Sequence, residues 1–210
     1  MDTPTHPRVI VAITGASGAL YARRLLQALV AVDAEIYLII SQLGRRLLAD
    51  ELGITEPHPD ALVGTSTHRI TMLPYRDVGA CVASGSFKVD AMVVVPCSNN
   101  KLAEMAHGLG DNLITRAAQV TLKERRRLIV VHREMPLGLI ELRNMVALAE
   151  AGAIICPANP GFYNIPQTVD DLVNMVVSRI LDLLGIPQQL TARWSGTSPL
   201  RQVSAPSEPG

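Results

Sequence analysis

Apolar residues fall along this chain in two rhythms. Residues 8–13, 35–40, 91–95, 128–131 and 153–156 are short, nearly unbroken apolar runs. That is the pattern of strands buried on both faces. Residues 68–73 give a weaker strand signal. The second rhythm is helical. Residues 21–32 set Leu25, Leu26, Leu29 and Val30 on one face, and Ser41 is placed to cap a helix carrying Arg45, Leu48 and Glu51. Further helices are predicted over 101–107, 112–123, 139–150 and 168–184, the last stopped by Gly185 and Pro187. Residues 53–67, rich in Pro, Gly, Thr and His, read as a connection, and 82–86 as a small-residue turn. Strands alternating with helices predict an α/β fold with a parallel sheet covered on both faces. With no repeat and no linker, the 210 residues read as one domain over 8–194. A flexible start (1–7) and a loose, Pro-rich tail (195–210) flank it.

Composition narrows the partners. Lys plus Arg and Asp plus Glu both number 19, so the net charge is zero, which argues against broad nucleic-acid binding. The one basic cluster, Lys123 with Arg125, Arg126 and Arg127, falls at a predicted helix end, where cations complement the dipole. An apolar fraction of 48% suggests that some apolar surface lies between subunits, an ordinary core being the alternative reading. Cys81, Cys97 and Cys156 are scattered, with no CxxC pair and no metal-ligand spacing to His. Reduced thiols, a cytoplasmic setting and no metal are the expectation. No apolar run approaches the roughly 20 residues that span a bilayer, and residues 1–7 are polar, without a signal-peptide core.

In open parallel sheets, ligands bind beyond the carboxyl ends of the strands. The chemistry is therefore expected just after Ile13, Ile40, Val95 and Val131. Residues 14–18 (TGASG) make a glycine turn into a helix, whose amides favour an anion, but the spacing is not that of a dinucleotide fingerprint. A mononucleotide phosphate or a flavin edge suits it, and so does a purely structural turn. Ser41 follows the second strand, as cap or ligand contact. Residues 96–101 (PCSNNK) open a helix with small polar groups, and Cys97 reads as packing rather than as a nucleophile, since it has no evident base. Arg133 and Glu134 follow the fifth strand. Arg can grip a phosphate with two parallel hydrogen bonds and Glu can move a proton; a surface ion pair is the alternative. Residues 157–163 (PANPGFY) form a rigid loop presenting Tyr163, with Phe162 assigned to packing.

Taken together the motifs resemble the UbiX-type flavin prenyltransferases over residues 8–194. They are T-G-A-S-G-A at 14–19, A-S-G-S at 83–86, P-C-S at 96–98 and A-H-G-x-x-D-N-L at 106–113. L-K-E-R-R at 122–126, R-E-x-P-L at 133–137, N-P-G-F-Y at 159–163 and R-I-L-D-L-L-G-I at 179–186 complete the set. In this order the set is specific, although each motif alone is modest. The resemblance implies a Rossmann-like fold, a homo-oligomer expected to be a dodecamer, and FMN held at a subunit interface. The implied reaction transfers a dimethylallyl group from dimethylallyl monophosphate to N5 and C6 of reduced FMN without a metal. The product is the cofactor of UbiD-type decarboxylases. By position, Gly15, Ala16, Ser17, Ser41, Ser98, Asn99, Asn100, Lys101 and Arg133 would contact FMN. Lys123, Arg133, Tyr163 and Arg179 would surround the donor phosphate. Ser17 and Glu134 would relay protons, Glu51 would sit near the phosphate, and Arg116 and Trp194 would line or close the pocket.

The chain also departs from that family pattern. Asn99-Asn100-Lys101 replaces a turn ending in a short hydroxyl residue. His132 stands where proline commonly precedes the Arg-Glu pair, and 141–144 (ELRN) replaces a common His-Leu-x-Asn. Two other functions compete. One is a non-catalytic paralogue that binds or stores the flavin. The other is a flavoprotein cysteine decarboxylase, for which His68 is the loose positional candidate.

Overall fold

The structure is a computed structural model that describes residues 6–191. Trp194 and the 195–210 tail lie outside the described residues. Six strands form one parallel sheet: β1 (Arg8–Ile13), β2 (Glu35–Ile40), β3 (Ile70–Leu73), β4 (Ala91–Cys97), β5 (Arg127–His132) and β6 (Ile154–Ile155). Their order is β3-β2-β1-β4-β5-β6, with every pairing parallel. The helices are α1 (Ala19–Ala31), α2 (Gln42–Leu52), α3 (Pro59–Val63), α4 (Asn99–Ala106), α5 (Leu113–Lys123), α6 (Leu139–Glu150) and α7 (Val169–Leu184). This is the parallel α/β sheet that the alternation predicts, in the Rossmann-like arrangement that the resemblance implies. The strand order reverses between β1 and β4, and the crevice over that reversal is the natural ligand position. The chain divides after Ala158 into two compact units. The first holds the whole sheet, and the second holds the loop from Asn159 and α7.

Burial explains the unbroken apolar strands. Val9 to Ile13 of β1 and Ala91 to Val95 of β4 are at most 2% exposed. On one face Ile10, Ala12, Met92, Val94, Leu128 and Val130 pack with Leu102, Met105, Leu113, Ile114 and Ala117 of α4 and α5. Leu25, Leu26 and Leu29 of α1 are also fully buried, at about 1.5–3 kcal/mol for each such side chain.

Three local expectations change. Residues 53–67 contain α3, which begins at Pro59 and closes on Gly64 in the left-handed conformation. Proline lacks only an amide that the first turn leaves unbonded anyway, so a segment rich in helix breakers still holds a helix. Strand β4 continues through Pro96 to Cys97, with an irregularity in its register to β5 after Val94. Proline is tolerated there because the ladder is already interrupted. Helix α4 starts at Asn99 rather than at residue 101, because the Ser98 hydroxyl accepts from the Lys101 amide and caps it.

One side chain joins the two central strands at their carboxyl ends. The Thr14 hydroxyl, fully buried, donates to the Pro96 carbonyl at 2.7 Å and accepts from the Ser98 amide at 2.9 Å. Thr14→Val keeps the shape and removes both bonds. The Pro96 carbonyl keeps the Thr14 amide at 3.3 Å, so the change should lower the unfolding free energy by about 1–3 kcal/mol in denaturant titration, the cost of leaving the Ser98 amide without its partner. Unchanged stability would show that water or backbone shifts replace the bonds.

Candidate functional site

The carboxyl ends of β1, β2, β3 and β4 surround a cavity of about 150 Å³ lined by Gly15, Ser41, Gln42, Leu43, Tyr75, Ser98, Asn100 and Lys101. Two helix N-termini face it. Ser41 caps α2 by accepting from the Gly44 amide at 3.0 Å, and Ser98 caps α4. Unbonded amides at such ends favour an anion. Gly15 packs so closely on Leu43 that any side chain there would collide with it.

Lys101 adds a cation to this wall although it is 7% exposed. Its ammonium is bonded to the Glu104 carboxylate, and it lies 5.4 Å from the centre of the Tyr75 ring. Burial opposes its charge, but Glu104 and Tyr75 outweigh burial and hold the proton more tightly than usual. Glu104 is itself fixed by the Asn100 amide at 2.6 Å and the Asn112 amide at 3.0 Å. Each charge in this buried pair therefore has its partners, the condition under which such a pair is tolerated.

The fifth strand contributes beside it. Arg133 leaves β5 with its amide on the Cys97 carbonyl at 3.2 Å, and its guanidinium donates to the Ser17 carbonyl at 3.0 Å. Arg133 and the glycine turn are thus brought together as expected. Glu134 accepts from the Asn99 side chain at 3.0 Å and from the Met135 amide at 3.2 Å. Asn99 is turned toward Glu134 and the buried His132 ring, whose Nε2 lies 2.6 Å from the Asn99 oxygen. Burial, with Arg133, pulls His132 below its ordinary pKa against the pull of Glu134 and Glu141, which favours the neutral ring. Burial pushes the Cys97 thiol far up, as expected of a packing residue.

Glu51 does more than decorate a helix. Its carboxylate accepts from the Gly18 amide at 3.0 Å and the Ala19 amide at 2.8 Å, at the N-terminus of α1. The side chain is exposed, so it reaches the glycine turn while open to exchange with another anion. Ser17 is exposed beside it and Ala16 is buried.

Other residues of the first unit lie elsewhere. Lys123 ends α5, immediately before β5 begins, so it stands at the amino end of the sheet, opposite the cavity. There it pairs with Glu124 and packs on Gly85 of the A-S-G-S turn. Arg126 donates to the Gly85 and Phe87 carbonyls, and Arg116 donates to Ala83 at 3.2 Å. These cations fasten one loop within this chain. In the second unit, Tyr163 is half-exposed, Phe162 is 71% exposed rather than packed as expected, and Arg179 is exposed on α7 and paired with Asp182 at 3.2 Å. His68 is exposed just before β3, also at the amino end of the sheet.

Tyr75 was not among the expected site residues. It follows β3, whose carboxyl end reaches the same edge, so the strand-end rule applied to every strand points to it. Thr14 stood in the first motif, but its role in joining β1 to β4 needed the register. Among the described residues, no three His, Cys, Asp or Glu side chains gather as a metal-binding group, and no helix is long and apolar enough to cross a membrane.

Comparison with known proteins agrees with this fold. The flavoprotein family model matches residues 2–181. A flavin prenyltransferase UbiX from Thermoplasma acidophilum is 47% identical over 89% of this chain and 99% of its own length. Two solved structures superpose closely. A UbiX protein in complex with FMN and dimethylallyl pyrophosphate has a TM-score of 0.84 at 39% identity, covering 92% of this chain and all of that one. A dodecameric FMN-dependent UbiX-like decarboxylase from Escherichia coli O157:H7 has a TM-score of 0.83 at 40% identity, covering 90% and 100%. Identity at this level across nearly the whole length of both partners places the chain in the flavoprotein family, among its UbiX-type flavin prenyltransferases.

Proposed function

We propose that the protein transfers a dimethylallyl group from dimethylallyl monophosphate to reduced FMN, and that the prenylated FMN is passed to a UbiD-type decarboxylase. The observation that carries this reading is the cavity between Ser41 and Ser98. It has two capped helix N-termini for a phosphate, with Tyr75 and Leu43 as apolar surface and the Lys101–Glu104 ion pair in its wall. These residues fit the phosphate end of FMN. Bound there, reduced FMN supplies nucleophilic N5 and C6 atoms.

The cavity is smaller than the roughly 300–1,000 Å³ of pockets that enclose a small ligand. One chain therefore supplies part of a site that other subunits complete. Helix α6 supports this. It buries Asn144 and Leu148 while exposing Leu139, Ile140, Leu142 and Val146, and the adjoining Met135 is 88% exposed. A helix that turns apolar residues outward marks a contact surface. We infer a homo-oligomer, a dodecamer as in the related Escherichia coli protein. In it, Lys123 of one chain meets the carboxyl-end residues of another.

The remaining roles follow from charge. Monophosphate leaves poorly, so Lys123, Arg133, Tyr163 and Arg179 would stabilise the negative charge that grows as the ester carbon–oxygen bond breaks. Glu134, held beside Arg133, and Ser17 would relay the proton released or taken up as the new ring closes. Glu51 would stay near the donor phosphate through the α1 amides. Arg116 and Trp194 would complete the pocket. An enclosed, water-poor site protects the allylic fragment from hydrolysis. The reduced thiols Cys81, Cys97 and Cys156 suit the cytoplasm. His68, at the amino end of β3, lies at the opposite end of the sheet from the cavity, which disfavours the cysteine-decarboxylase reading.

Incubating the protein anaerobically with reduced FMN and dimethylallyl monophosphate should yield flavin heavier by one C5H8 unit in mass spectrometry. FMN that binds but never gains that mass would leave a flavin-storage protein. Pyrophosphate as the only productive donor would reassign the phosphate site. Arg179→Ala should lose a charge-assisted bond worth about 1.5–3 kcal/mol, roughly one to two orders of magnitude in transfer. FMN affinity should be unchanged in a titration. Normal donor kinetics would return Arg179 to a surface pair with Asp182.

A further inference from the structure

Two of the positions where this chain departs from its family pattern, Asn99 and His132, touch each other. They lie 33 residues apart, on α4 and β5. The β4–β5 register sets Cys97 opposite His132, so the chain just beyond Cys97 runs along the histidine ring.

The contact has a fixed direction. Asn99 Nδ2 donates to Glu134 Oε2 at 3.0 Å, which leaves Asn99 Oδ1 facing His132 Nε2 at 2.6 Å. An amide oxygen only accepts, so the proton sits on Nε2. Turning the amide over would set its oxygen against a carboxylate. The three groups therefore order as His132 donating to Asn99, and Asn99 donating to Glu134.

Each part is anchored. His132 is 2% exposed, so its ring is held by packing. Asn99 opens α4 directly after the Ser98 cap. The other Glu134 oxygen takes the Met135 amide at 3.2 Å. Glu134 lies on an exposed loop, yet both carboxylate oxygens are bonded, one of them by a chain of groups that ends in the core.

We propose that His132 and Asn99 are positioning residues that hold the Glu134 carboxylate for proton transfer. This rests on the prenyltransferase reading and adds to it the means by which an exposed carboxylate is kept in place. A proton-transfer group must be held within hydrogen-bond reach of the reacting atom. A preset geometry removes the cost of finding that position at each turnover. On this account Asn99 acts through Glu134 rather than as an FMN contact.

A double-mutant cycle tests the proposal. Asn99→Leu alone should reduce prenyl-transfer kcat by about tenfold, the scale of one charge-assisted hydrogen bond. Donor KM and FMN affinity should stay near their starting values. In a Glu134→Gln background the same change should cost nothing further, because the group it positions is already gone. His132→Gln, whose amide can still donate to Asn99, should keep most of the activity, while His132→Phe should lose as much as Asn99→Leu. Equal losses in both backgrounds, unchanged kcat in Asn99→Leu, or loss of FMN binding in that variant would overturn the proposal. A second readout needs no turnover. Nitrogen NMR of protein with 15N-labelled histidine, with His132 assigned by its loss in His132→Gln, should show the neutral Nε2-protonated ring. The Nδ1-protonated ring would break the chain of bonds. Failure of the parent reading looks different: the unmodified protein itself transfers no prenyl group, and the proposed role falls with it.

Discussion

The candidate site depends on how the carboxyl ends of β1 and β4 are held together. These are the strands at which the sheet order reverses, and such a reversal opens a crevice because consecutive connections leave to opposite sides. Thr14 joins them through the Pro96 carbonyl and the Ser98 amide. That bond fixes where Ser98 lies, and Ser98 fixes where α4 begins. The helix start then places Asn99 against His132 and Lys101 along the cavity wall. A threonine in the first loop thus sets, at second hand, the position of a carboxylate that follows the fifth strand.

Much of the fold is legible in the chain because parallel strands must be apolar on both faces. The runs at 8–13 and 35–40 match the observed strands residue for residue, since each ends where a glycine or a capping serine must begin the next element. The weaker limits have physical causes. Strand β3 is short and its side chains are only partly covered, so its burial pattern is indistinct. Helix α3 hides among helix breakers because proline and glycine also start and end helices. Read from sequence, Pro96 closes β4, yet the strand continues past it; only the ladder register shows that the bond it cannot make is not needed there.

The site was legible as a set of places more than as a set of contacts. Gly15, Ser41, Ser98, Asn100 and Lys101 line one cavity because all lie just beyond strand carboxyl ends. Arg133 joins them through Ser17. Contacts between distant segments were not legible: Glu51 on the α1 amides, and Asn99 between His132 and Glu134. The departures from the family pattern make sense only when seen in pairs. Lys101 is accommodated because Glu104 neutralises it, and His132 because Asn99 accepts its hydrogen bond.

Lys123 is the residue that forces an assembly into the account. It ends α5 at the amino end of the sheet, while the cavity, Arg133 and Glu134 lie at the carboxyl end. If Lys123 and Glu134 serve one reaction, two different chains must supply them. Mixing two impaired variants, Lys123→Ala and Glu134→Gln, by co-expression tests this directly. Hybrid assemblies contain sites in which the intact lysine comes from one chain and the intact glutamate from another. Prenyl transfer by the hybrids should be well above the sum of the two variants alone. Hybrids no more active than that sum would contradict a site shared between subunits.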